Sequence, residues 1–526
     1  MIEINPSLWK QNPPPLPHQI TGVRALVSHP AFMLADEPRT MKSRQVVDAA
    51  CILREAGLID LVVVIARVGG RGVWGNAKIG QIKHWSWLPV RVHEFHEKQR
   101  DLWSDENPQL TWVVTNYDFI RSPRRLEEFL ARLAANYKKP WVVFDESHKL
   151  GNENSLQAKA AMEICWNVQK VLDHNGKVAR INYSPRVARR TMLTGTPGSP
   201  LKHWSQFNIL DHVLDRRYKN VRTFKWRFVQ YDENGVMRPI PGRNGKKGGL
   251  KLVHKEVGWK NLDALSKITS RWALMRKRRD CQGLRDVKVV SSFEEVRLSK
   301  ETWKLYQSLK RDAIAELSSG ETYVSPNKGV CLQRLSQICS GHLGGFIEGE
   351  PTRWLSDEKI DWLLNELQEE CVAKAIIVWV RYSAQRKRLA EKLREAGFIV
   401  HQIHGGQNAA QRRNAELIFS TGVERVEGRH VLVAQCQAGG DSNDFSAASN
   451  VYRLSEVWGD WITFAQSNDR PLGLGQKAEY VKSTDVIATG PDGQRTMDHV
   501  MLESRETGRI VEKMSCSEWL TELRND

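Results

Sequence analysis

Short apolar runs alternate with helix-length amphipathic stretches, and this rhythm occurs twice along the chain. No other feature restricts the fold as strongly. In the first half Leu61–Ala66, Thr111–Thr115, Trp141–Phe144 and Arg190–Leu193 read as buried strands, with Lys42–Glu55 and Pro123–Asn136 as helices between them. Strands without polar alternation are buried on both faces, and parallel neighbours need crossover connections. The pattern therefore predicts a parallel sheet covered by helices. It resumes near Trp354, with Ala375–Val380, Ile399–Ile403, Val431–Ala434 and Val451–Leu454 as strands. The expected fold class is α/β, in two similar halves without evident sequence identity to each other.

The expected boundaries are a polar lead at 1–15, a first α/β half at 16–212, a basic insertion and helical protrusion at 213–298 that returns to that half, a helical linker at 299–345, and a second half with a C-terminal helix at 346–526. Residues 216–251 carry eleven Lys or Arg against Asp232 and Glu233. Residues 259–279 read as helical and end in RKRR.

The chain is 41% apolar and 26% charged over 526 residues, a balance that excludes a wholly disordered chain. No run approaches the roughly 18 apolar residues of a membrane span. The start, MIEINPSLWK, lacks a basic lead followed by an apolar core. Eight cysteines without a C-x-x-C pair argue against a zinc ribbon or disulfide framework, so a cytoplasmic, reducing setting is expected. A net charge of +17 points to a polyanion partner. A merely solvated basic surface is the bland alternative.

Four segments carry chemistry. An apolar strand delivers Asp145 and Glu146, in F-D-E-S-H, to its C-terminal end, where open α/β sheets bind ligands. One carboxylate can hold Mg2+ through water, and its neighbour can activate an attacking water. An acid pair there can also simply cap a helix. The segment A-D-E-P-R-T-M-K-S at 35–43 ends in Lys42-Ser43, the residue types that reach β/γ phosphates and Mg2+. Met41 stands where such loops place a glycine. Thr194 and Thr196 in T-G-T-P can tie the acid pair to neighbouring strands. Arg470, in Q-S-N-D-R-P-L-G-L-G-Q, can meet charge developing on a γ-phosphate.

Together these segments resemble the Swi/Snf-type branch of superfamily-two helicase-like ATPases, with a DEAH-type motif II, over about residues 16 to 515. L-P-H-Q-I-T-G-V-R-A-L at 16–26 is similar to the adenine-reading motif, and D-E-P-R-T-M-K-S to motif I. V-V-T-N-Y at 113–117, D-E-S-H-K-L-G-N-E-N-S at 145–155 and L-T-G-T-P follow in family order. L-M-R-K-R-R at 274–279, L-Q-R-L-S-Q-I-C-S at 332–340, S-D-E-K-I at 356–360, H-G-G at 404–406 and A-G-G-D-S-N-D-F at 438–445 continue the series.

The resemblance implies two RecA-like lobes with ATP and Mg2+ in the cleft and duplex DNA across the top. It assigns nucleotide contacts to Gln19, Arg39, Thr40, Met41, Lys42, Ser43, Gln466 and Arg470. Catalysis falls to Glu146, Asp145, Lys42 and Arg470, and Mg2+ to Ser43 and Asp145, largely through water. DNA contacts fall to Asn116, Tyr117, His404, Gly405, Gln437, Arg276 and Arg278, beside the loop Gly69–Gly75. A bare motor of this size suits a bacterial or phage protein.

Three departures stand out. Motif I lacks its glycines, Gly473 replaces a second motif VI arginine, and Asp441 and Asp444 enter a usually uncharged motif V. The expected function is a DNA-stimulated ATPase that translocates on duplex DNA. A nucleotide-gated DNA clamp with weak or lost hydrolysis and an RNA helicase are the alternatives.

Overall fold

The computed structural model describes residues 13–68, 70–76, 80–95, 110–172, 178–195, 199–218, 220–231, 236–239, 250–253, 256–318, 326–344, 351–407, 409–422, 426–439, 444–455, 461–473 and 475–506. The chain divides into unit 1, residues 1–284, and unit 2, residues 285–526.

Unit 1 is built on seven strands: β1 (Ala31–Leu34), β2 (Leu61–Ala66), β3 (Val90–Glu94), β4 (Leu110–Asn116), β5 (Pro140–Phe144), β6 (Arg189–Leu193) and β7 (Ala273–Leu274). Their order is β7-β1-β6-β5-β2-β4-β3, and every pairing is parallel. Alternate residues feed two cores. Val63, Ile65, Val142 and Phe144 join Phe129 of α3 (Pro123–Asn136) on one face. Val62, Val64, Trp141 and Val143 join Leu26 of α1 (Pro17–Ser28) and Val46 of α2 (Lys42–Glu55) on the other. Burial on both faces explains why these strands are continuous apolar runs.

Unit 2 repeats the device with β8 (Lys288–Arg297), β9 (Ala375–Val380), β10 (Ile399–Ile403), β11 (His430–Gln435), β12 (Asn450–Arg453) and β13 (Tyr480–Thr489). Their order is β8-β13-β12-β9-β11-β10, again parallel throughout. Ile377 and Trp379 enter one core, Ile376 and Val378 the other. The α/β expectation holds, and two parallel, helix-covered sheets are consistent with two RecA-like units.

The boundary at 298 needs correction. β8 pairs along its whole length with β13, so residues 288–297 belong to the second sheet. The segment 299–345 is helical over Lys300–Ser318 and Pro326–Cys339 and packs within unit 2. Tyr306, Leu335 and Ile338 from its helices share a core with Met497 and Met501 of the helix Met497–Glu506. The basic insertion is in part core, since Phe224 and Phe228 are fully buried in unit 1. Residues 259–279 are α-helical over Leu262–Thr269, after which the chain enters β7 and then a single 3-10 turn at Arg278–Asp280. Residues 507–526 lie outside the described residues.

Candidate active site in unit 1

The strand order sets the site. β6 lies between β1 and β5, so the segments leaving these three strands emerge side by side. They are the loop 35–41, the start of T-G-T-P and the acid pair. Thr194 is buried and donates its N–H to the Leu34 carbonyl at 3.3 Å. A Cβ on Gly195 would fall 2.7 Å from Pro38, so only glycine lets these two loops touch. Thr196 lies outside the described residues.

The loop 35–41 reaches its shape without glycine. Arg39 and Met41 take positive φ of 66° and 57°, a strain of about 1 kcal/mol or more per residue. Interior bonds hold them there. Thr40 is fully buried, and its carbonyl accepts from the His18 ring at 3.1 Å and from the Gln45 side-chain amide at 3.2 Å. Its hydroxyl donates to the Glu37 carbonyl at 2.9 Å. Gln19 is also fully buried, accepting the Leu16 N–H at 2.8 Å and donating to the Met41 sulfur at 3.2 Å. Lys42 opens α2 and donates to the carbonyls of Asp36 at 2.7 Å and Glu37 at 3.1 Å. Ser43 follows it, half-buried in the first helical turn.

Arg276 locks this loop from below. Its guanidinium forms a two-pronged pair with Asp36, which is fully buried, and donates to the His18 carbonyl. A third contact reaches Gln45 at 3.3 Å. The assignment of Arg276 to DNA is therefore corrected: its donors are spent inside the protein. Arg278 anchors the same loop through its backbone N–H on Glu37 at 2.7 Å, and its side chain is half-buried.

Asp145 and Glu146 sit at the C-terminal end of β5. Asp145 accepts from the Trp74 indole at 2.8 Å and from the Glu146 N–H at 3.0 Å. Burial, then the neighbouring Glu146 charge, raises its pKa. Glu146 has φ of 53° and lies 3.2 Å from the His148 ring. Burial pushes its pKa up, but His148, Lys42 and Arg67 outweigh it and hold the carboxyl below its ordinary range. The field of Lys42 thus acts on both carboxylates.

Asn116 and Tyr117 are corrected as DNA contacts. Asn116 caps the next helical turn, accepting the Phe119 N–H at 2.8 Å, and is buried. Tyr117 is buried and donates its hydroxyl to the Asp145 carbonyl at 2.7 Å. Trp74 and Gly75, within the loop read as lying near DNA, are buried as well. The roles of Trp74, Arg67 and His148 were missed. Only the position of His148 within D-E-S-H could have flagged one of them.

In unit 2, Arg470 and Gln466 are buried. Arg453 fastens their segment by donating to Ser467 at 3.0 Å and Asn468 at 2.9 Å. The Arg470 carbonyl accepts the Phe445 N–H at 3.1 Å, which joins the motif V and motif VI segments. His404 is half-buried and Gly405 exposed at the end of β10. Burial, then Arg386, Arg412 and Lys387, lowers the His404 pKa. The Gln437 side chain and Asp441 lie outside what is described.

The loop, the lysine and the acid pair fit a nucleotide with Mg2+. The His148 Nε2 is buried without a hydrogen-bond partner, and the Lys42 ammonium lies on two carbonyls that phosphate oxygens can replace. The chain is similar to a helicase-like ATPase. An uncharacterized ATP-dependent helicase of Mycoplasma genitalium is 24% identical over 341 residues, which cover 64% of this chain and 27% of that protein. The chain thus matches about a quarter of the relative's length. Two structures from Sulfolobus solfataricus, a SWI2/SNF2 ATPase core in complex with dsDNA and the core domain, align over 99% of this chain. Their identities are 18% and 17%, and their TM-scores 0.40 and 0.37. No family model matches the chain.

Proposed function

We propose that the chain is an ATP-driven motor of the Swi/Snf type that acts on duplex DNA. One observation carries this reading: the carboxylates of Asp145 and Glu146 end the central strand β5 while the Lys42 ammonium acts on both. In the reading, Lys42 and Ser43 hold the β/γ phosphates, while the buried Gln19 amide, bonded to the Leu16 N–H and the Met41 sulfur, shapes the loop rather than facing the base. Asp145 would hold Mg2+, which when bound would supply neutralisation of phosphate charge. Glu146, kept ionised by its neighbours, orients the attacking water and takes its proton. A fluorescent ATP analogue titrated with and without Mg2+ tests this assignment. Lys42→Ala should weaken binding at least tenfold; equal affinity would remove the nucleotide from this loop.

A nucleotide-gated clamp with little turnover is the second reading. It is favoured by the occupied Lys42 ammonium and by Met41 in place of a loop glycine. It predicts the same binding without steady-state phosphate release.

A further inference from the structure

Beside β7, unit 1 carries a concavity of about 670 Å³ that the proposed chemistry does not use. Arg216, Arg217, Arg227, Lys267 and Arg271 line it, with Tyr218 and Trp272. These residues come from the turn Asp215–Tyr218 and two helices, α4 (Val221–Phe228) and α5 (Leu262–Thr269), and the stretch before β7. The scaffold is firm. Tyr218 packs edge-on against Phe224 and Phe228, with centroids 5.7 and 5.4 Å away. The Trp272 carbonyl accepts the Met33 N–H of the central sheet at 2.7 Å.

The charge here is not neutralised from within. Arg216 has Asp211 at 3.8 Å. Among the described residues, no acid pairs with Arg217, Arg227, Lys267 or Arg271. Five like charges around one hollow repel each other, and an anion that bridges them relieves the repulsion. Guanidinium forks fit phosphate oxygens two at a time. The cations are exposed and spread over four segments, which suits a chain of phosphates better than a single enclosed anion.

We infer that this concavity is a phosphodiester-binding site through which unit 1 grips the backbone of a nucleic acid. The inference rests on the nucleic-acid reading above but names a surface separate from the Asp145 site. The test compares the full chain with Arg217→Gln/Lys267→Gln/Arg271→Gln. An equally discharged control carries Arg124→Gln/Lys138→Gln/Lys159→Gln, all exposed elsewhere on unit 1. Duplex and single-stranded DNA binding is measured by anisotropy between 50 and 200 mM salt. Each lost phosphate contact lowers the salt slope by about 0.7–0.9, so the site variant should lose about 2–3 in slope. Across that salt range its duplex affinity should fall roughly 40-fold less than the parent's. The control should keep the parental slope. Equal slopes for both triple variants would overturn the inference while leaving DNA binding intact. Tripolyphosphate that binds the parent, fails to bind the site variant and resists displacement by DNA would make the hollow a small-anion site instead. A parent that binds no nucleic acid would overturn both this inference and the broader reading.

Discussion

The carboxylate of Asp444 fills the space beside Gly473, so that a Cβ built on Gly473 falls 3.0 Å from the carboxylate carbon. Two departures from the Swi/Snf pattern that are separate in sequence are thus one feature in space. Gly473→Arg alone should not raise turnover, and its crowding should cost about 1–3 kcal/mol. Adding Asp444→Ala should recover most of that loss. Thermal unfolding of the single and double variants checks this; a fully stable Gly473→Arg would show that the contact is unimportant.

Arg276 is held to be a structural clamp. Removing it leaves Asp36 buried and unpaired, so Arg276→Ala should lose about 3–5 kcal/mol. The salt dependence of DNA binding should stay as it was. Denaturant unfolding with binding titrations separates the two roles, and a stable variant with a reduced salt slope would restore the DNA assignment.

Met41 sits in a left-handed conformation that alanine tolerates no better. Met41→Gly should therefore be more stable than Met41→Ala by about 1 kcal/mol, although it removes more side chain. The reverse order in matched melts would mean that the loop relaxes to negative φ.

How much of this was legible in the sequence follows from burial. β2 and β9 lie inside their sheets, so Leu61–Ala66 and Ala375–Val380 are uninterrupted apolar runs whose ends matched the structure. β3 and β8 are edge strands. Val90–Glu94 is half-buried throughout and β8 is mostly exposed, so neither shows an apolar run. The acid pair and Lys42 were readable because chemistry fixes their types and spacing. Arg276 was not, because a clamp on Asp36 across more than two hundred residues leaves only a basic run that looks like a DNA contact. Asn116 and Tyr117 misled for a related reason: capping and a carbonyl contact use the same polar groups that would serve a phosphate.

The pair Asp145 and Glu146 sets the pH response. Ionised Asp145 opposes folding, since burial and Glu146 raise its pKa, and that penalty appears as pH rises through its folded value. Glu146, held low, contributes stability that disappears as pH falls below its unfolded value. Followed by a carboxylate infrared titration of the metal-free protein, the acid limb of Asp145 should lie above the ordinary carboxylate range. Trp74→Phe removes a hydrogen bond that lowers the Asp145 pKa and should move the limb further up. A limb near pH 4 in both proteins would contradict this.

Phosphate release by the full chain, with and without duplex DNA and beside Glu146→Gln, tests the motor most directly. Duplex DNA should stimulate release, and the variant should fall at least a hundredfold while ATP binding persists. Release by the parent no faster than by Glu146→Gln, with or without DNA, would contradict it.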